Sequence, residues 1–149
     1  MLENIELIIL SFIASLGFGI VFQIKKSYLV YAGLGGLITR VGYIVLMSFI
    51  SHRIIYAAGA AGIASVYAEL LAKKTKNSST LFLYPAIIPL IPGDLIYYTM
   101  GGVVVGNNEV FVQYAGECIL ALLGISIGFV VCSSAAHYVK KHKLQKTLL

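Results

Sequence analysis

The chain has 149 residues, of which 59% are hydrophobic and 11% charged, and its mean hydropathy is +0.91. A soluble domain carries about 25% charged residues, so this chain has too little polar material to cover a water-facing surface, and lipid is the expected solvent for most of it. That excludes the soluble enzyme classes, and the net charge of +5 reads as membrane topology, with no nucleic-acid partner expected.

A membrane-crossing helix needs about 20 mostly apolar residues. Five segments qualify, at about 4–24, 28–51, 54–72, 80–105 and 110–138, joined by "KKS", "HR", "KKTKNSS" and "GNNE". The expected architecture is an all-α polytopic membrane protein, a single domain over residues 1–149 with five transmembrane helices and a basic tail at 139–149. The N-terminal "MLENIE" is acidic, whereas cleavable signal peptides begin basic.

Span one carries Ser15 and Gly19, span two Ala32 and Gly36, span three Ala60, Ala64 and Ala68, and span five Gly124 and Gly128. Small residues four apart let membrane helices approach closely, so a tight bundle is expected. The stripes of spans one to three are also candidate contacts for a partner. Cys118 and Cys132 lie about 21 Å apart along one helix, too far for a disulfide.

Basic residues orient the chain. If the spans alternate, Lys25, Lys26, Lys73, Lys74, Lys76, Lys140, Lys141, Lys143 and Lys146 share one side, and the other has only Arg53. Cytoplasmic loops carry the Lys/Arg excess, so the N-terminus is expected outside and the C-terminus inside a cell membrane. The basic tail is placed to meet anionic lipid head groups. Its histidines have no further ligand types near them, and no metal or cofactor is expected.

Besides Glu6 and His137 at span ends, four ionisable residues fall within spans: Arg40, Glu69, Asp94 and Glu117. Each costs roughly 2.5–3.5 kcal/mol at mid-membrane on insertion scales, so each needs a partner or water. Counting 1.5 Å per residue puts Arg40, Asp94 and Glu117 at similar depth, about 18 to 21 Å above the cytoplasmic face. They are candidates for substrate binding or coupling, against the alternative of a static pair in which Arg40 neutralises Asp94 or Glu117. Glu69 lies near the inner end of span three, within reach of Lys73, and is a secondary candidate.

Span four holds "YPAIIPLIPGDLIYY". Pro85, Pro89 and Pro92 follow an i, i+4, i+7 spacing, and each lacks the N–H that would bond the carbonyl four residues back. Pro92-Gly93 favours a turn, and Asp94 suits the N-cap of a second half-helix starting at Leu95. A break between Pro89 and Asp94 is therefore expected. Irregular backbone at that depth survives only when buried in protein or lining a watery cavity, and transporters use such broken helices to bind substrate. Pro89, Pro92 and Gly93 join the primary candidates, and Pro85 is a secondary one.

The same stretch, followed by "GGVVVG", resembles the P-x-x-x-P-L-[IV]-P-G signature of the second half of the threonine/serine exporter family. The resemblance covers essentially the whole chain. It implies a subunit of a secondary transporter exporting a small carboxylate-bearing metabolite, threonine or serine first. Some separate-chain members are linked to dicarboxylates such as succinate, which is the alternative. The resemblance also implies a partner, the first half of the exporter, as a second five-span membrane protein.

Two other classes compete. "PGD" superficially resembles aspartyl intramembrane proteases, but those need two aspartates and Asp94 is the single one here; His52, His137 and His142 all lie at span ends. An enzyme is not expected. A structural subunit with no substrate site of its own is the remaining alternative.

Overall fold

The computed structural model describes the backbone of residues 2–147 and the side chains of residues 4–136 and of Tyr138. Every regular element among them is a helix: α1 (Leu2–Val21), α2 (Lys26–Phe49), α3 (Arg53–Thr75), α4 (Thr80–Ile87), a 3-10 turn (Ile88–Leu90), α5 (Gly93–Val105) and α6 (Asn108–Thr147). By length and composition α1, α2, α3 and α6 can cross a membrane; a fifth span results if the bent pair around the 3-10 turn is one crossing. The axes of that pair, Thr80–Leu90 and Gly93–Val105, differ by 51°.

The prolines explain the bend. Pro85 is accommodated inside α4. Pro89 sits in the 3-10 turn, and Pro92 adopts φ −77°, ψ 69°, outside the helical region. Two of the carbonyls that lose their usual donors are satisfied otherwise. Pro85 O accepts a bond from Ser15 Oγ at 2.8 Å, and Ile88 O accepts one from Ile91 N at 3.1 Å.

The expected interruption is present, but its capping differs. Pro92, not Asp94, is the N-cap of α5: its carbonyl accepts the Ile96 N–H at 3.1 Å. The helix starts at Gly93, and Asp94 lies in its first turn with no side-chain cap bond. The physical reason is that an N-cap needs a non-helical backbone and a free carbonyl, which Pro92 already supplies two residues earlier.

Helix α4 lies between α2 and α3, and α3 in turn packs along α6. The core joining them holds Ala64, Ala68, Phe82 and Ala86, all 0% exposed, with Leu71 and Leu83. Tyr67 ties α3 to α2 by donating to Tyr31 O at 2.7 Å. The small-residue stripes make this closeness possible: a Cβ at Gly128 would run into the Ala58 carbonyl, and one at Gly124 would lie 2.5 Å from the Ile54 carbonyl. The tight bundle is as expected. The suggestion that the stripes of spans one to three face a partner is corrected, because Ser15, Ala32, Ala60, Ala64 and Ala68 are 0% exposed within this chain alone. Close approach of its own helices uses up the space those small side chains leave.

Helix α6 runs on past the expected span: its backbone stays helical through Thr147, so most of the basic tail continues the helix. Four of the eight residues of the segment "VKKHKLQK" are Lys, and Lys, like its Leu and Gln, favours helix.

Candidate functional site: a cavity at the broken helix

The break opens onto a cavity of about 740 Å³. One wall comes from α2, where Arg40, Tyr43, Ile44 and Met47 line it at the i, i+3, i+4, i+7 positions of a single helix face. A second comes from the start of α3, where Arg53, Tyr56 and Ala57 repeat the i, i+3, i+4 spacing. The third is the irregular segment itself: all of Pro89 to Asp94 lines the cavity. Irregular backbone thus lines a cavity, as the membrane argument requires.

Arg40 carries the most informative chemistry. Its Nε is buried and has no hydrogen-bond partner among the described residues. Its guanidinium carbon lies 5.4 Å from the centre of the Tyr43 ring, a cation–π contact, and Tyr43 meets Tyr56 edge to face at 5.2 Å. Buried polar groups are normally bonded, and each exception calls for an explanation. Asp94 lines the same cavity from the first turn of α5, where the helix dipole favours a negative charge. Arg40 and Asp94 share the cavity but form no ion pair within 4.0 Å.

Glu117 goes elsewhere. Its Oε2 pairs with Arg53 at 2.8 Å, both side chains partly exposed, and it does not line the cavity. The three spanning charges expected at one depth therefore divide: Arg40 and Asp94 come together at the cavity, while Glu117 reaches it only through Arg53. Pro89, Pro92 and Gly93 line the cavity as well. Pro85 does not; it is fully buried, with its carbonyl bonded to Ser15. Glu69 lines a separate polar cavity of about 530 Å³ beside Lys73 and Lys76, and among the described residues it forms no ion pair with Lys73.

Sequence reasoning missed Arg53, Tyr43 and Tyr56. Signals for them existed. Arg53 is the one loop cation that is not a lysine, and Tyr43 is three residues past Arg40, on the same helix face. The cavity walls therefore hold two guanidinium groups, one carboxylate and two phenols, with a helix N-terminus at the rim. This set can bind a small charged metabolite at a carboxylate end and a cationic end together. Nothing in it forms a nucleophile–base pair.

No curated protein and no solved structure matches the chain. The sequence profile described as Threonine/Serine exporter, ThrE, matches residues 7–135. That match spans the proline break, both cavity arginines and Asp94, and the chain belongs to the threonine/serine exporter family.

Proposed function

We propose that this chain is one half of a secondary transporter that exports a small zwitterionic amino acid, threonine or serine, through the cavity at the broken helix. The observation that carries the reading is the buried, unpartnered Nε of Arg40 in the same cavity as Asp94. A substrate carboxylate would satisfy Arg40, and its ammonium would face Asp94. Charge-assisted hydrogen bonds of this kind are the strong ones. The rim of the break adds the N-terminus of α5, which also favours an anionic group. The chain has no nucleotide-binding loop, so an ion gradient or the substrate gradient drives export.

One observation favours a second reading. Arg53 also lines the cavity while paired with Glu117, so a dicarboxylate becomes acceptable if its second carboxylate takes the place of Glu117 on Arg53 and Asp94 is protonated. That acid would then serve as the proton-coupling group.

In this proposal the bent pair crosses as one span, making five, with the N-terminus outside and the C-terminus in the cytoplasm, as the nine lysines on one side indicate. Inverted-repeat transporters set two halves around a midplane site. The chain has one Pro-x-x-x-Pro-x-x-Pro-Gly segment and no duplicate of it, so a second five-span protein would supply the other half. Uptake of labelled threonine, serine and succinate into inside-out vesicles, with and without the genomic neighbour, tests all of this. Amino-acid uptake only with both chains is expected; uptake of none of the three would overturn the proposal.

A further inference from the structure

We infer that Ser15 is a positioning residue of the cavity: its hydroxyl replaces the backbone N–H that Pro89 lacks and so holds the broken segment in register with α1 and α2. The functional weight of this rests on the cavity being the transport site; the structural coupling does not.

The bond geometry carries the argument. Residues Ile87 (φ −81°, ψ −26°) and Ile88 (φ −51°, ψ −43°) are still helical. An N–H on residue 89 would therefore face the Pro85 carbonyl as an ordinary i to i−4 bond. Pro89 cannot supply it. Ser15 Oγ, on α1 and 70 residues away in sequence, donates to that carbonyl at 2.8 Å, and Ser15 is 0% exposed.

This use of a serine differs from the rest of the molecule. Ser11, Thr39, Ser48, Ser65, Thr75, Thr99 and Ser126 all donate to the carbonyl four residues back in their own helix. Among the described Ser and Thr hydroxyls bonded to backbone, Ser15 is the one that leaves its helix. A hydroxyl with an easy local acceptor has been directed instead to the carbonyl orphaned by the break.

The same side chain touches α2. A Cβ at Gly36 would run into Ser15 Oγ, so the hydroxyl is seated between α2 and α4. Gly36 is one turn before Arg40, and Pro85 is one turn before Pro89. Ser15 thus joins the turn below the cavity cation to the turn below the cavity rim.

The test is a double-mutant cycle on the purified chain in detergent, with thermal unfolding as the readout. Ser15→Ala is expected to lower Tm by several degrees in the native background. In the Pro89→Ala background it should lower Tm little, because residue 89 now supplies the donor itself. Equal shifts in both backgrounds would overturn the inference. If Ser15→Ala alone yields no folded protein, recovery of Ser15→Ala/Pro89→Ala supports the inference. If that double variant is not recovered either, Ser15→Cys, with a weaker donor of similar size, takes its place in the cycle under the same criterion. Positioning is read separately by hydrogen exchange of the Leu90, Ile91, Gly93 and Asp94 amides. At least tenfold faster exchange in Ser15→Ala is expected, and unchanged rates there would reduce Ser15 to a packing residue. Neither readout uses a substrate, so a wrong substrate leaves this result standing, and a failed cycle leaves the transport proposal standing.

Discussion

Replacing Arg40 by Met separates a substrate ligand from a structural ion pair. The substitution keeps an apolar stem of similar reach and removes the guanidinium. If Arg40 were half of a static buried pair, removing it would leave an uncompensated charge and cost about 3–5 kcal/mol. Among the described residues Arg40 has no such partner within 4.0 Å. Removing Arg40 instead relieves a buried, unsatisfied Nε, worth about 1–3 kcal/mol. It also forfeits the Tyr43 cation–π contact at 5.4 Å, worth about 0.5–2 kcal/mol. The two largely offset each other, so the change in stability should lie between a loss of about 1 kcal/mol and a gain of about 2.5 kcal/mol. Transport should change far more. A charge-assisted bond to the substrate carboxylate is worth about 1.5–3 kcal/mol, which raises KM about 10- to 150-fold. The assays are thermal unfolding in detergent and concentration-dependent uptake into inside-out vesicles carrying both halves. A variant destabilised by 3 kcal/mol or more, with native KM, would refute the reasoning.

Asp94→Asn should abolish most export while leaving Tm nearly unchanged. Asp94 makes no cap bond, and only its dipole interaction, about 0.3–1 kcal/mol, is lost; full activity in the vesicle assay would remove Asp94 from the site. Gly128→Ala should destabilise the fold by about 1–3 kcal/mol through overpacking, since its Cβ meets the Ala58 backbone carbonyl, which cannot rotate away. Gly116→Ala, with nothing within 4 Å, is the matched control, and equal thermal unfolding of the two would contradict the packing described. A topology reporter fused after Leu149 should be active only on the cytoplasmic side; activity of the opposite kind would overturn the orientation drawn from the lysines.

Much of the fold was legible in the chain because its causes are local. Long apolar runs are helices wherever backbone groups must bond to one another, and α1, α2 and α3 begin and end close to the expected limits. The break was legible for the same reason: a missing N–H at residues 85, 89 and 92 acts on carbonyls four residues away. Half of the candidate site followed, since Arg40 and the Pro89–Asp94 segment do line one cavity. What the sequence could not determine depends on which helix faces touch. A depth count places charges along the membrane normal but says nothing of rotation about each helix axis, so it grouped Glu117 with Arg40, whereas packing of α3 on α6 delivers Glu117 to Arg53. The stripes of small residues announce close contact without naming the surface contacted, and here that surface is the chain's own interior. The acceptor of Ser15 lies 70 residues away, a distance that no local period encodes. Only the packed helices decide that a serine on α1 completes the backbone of the break.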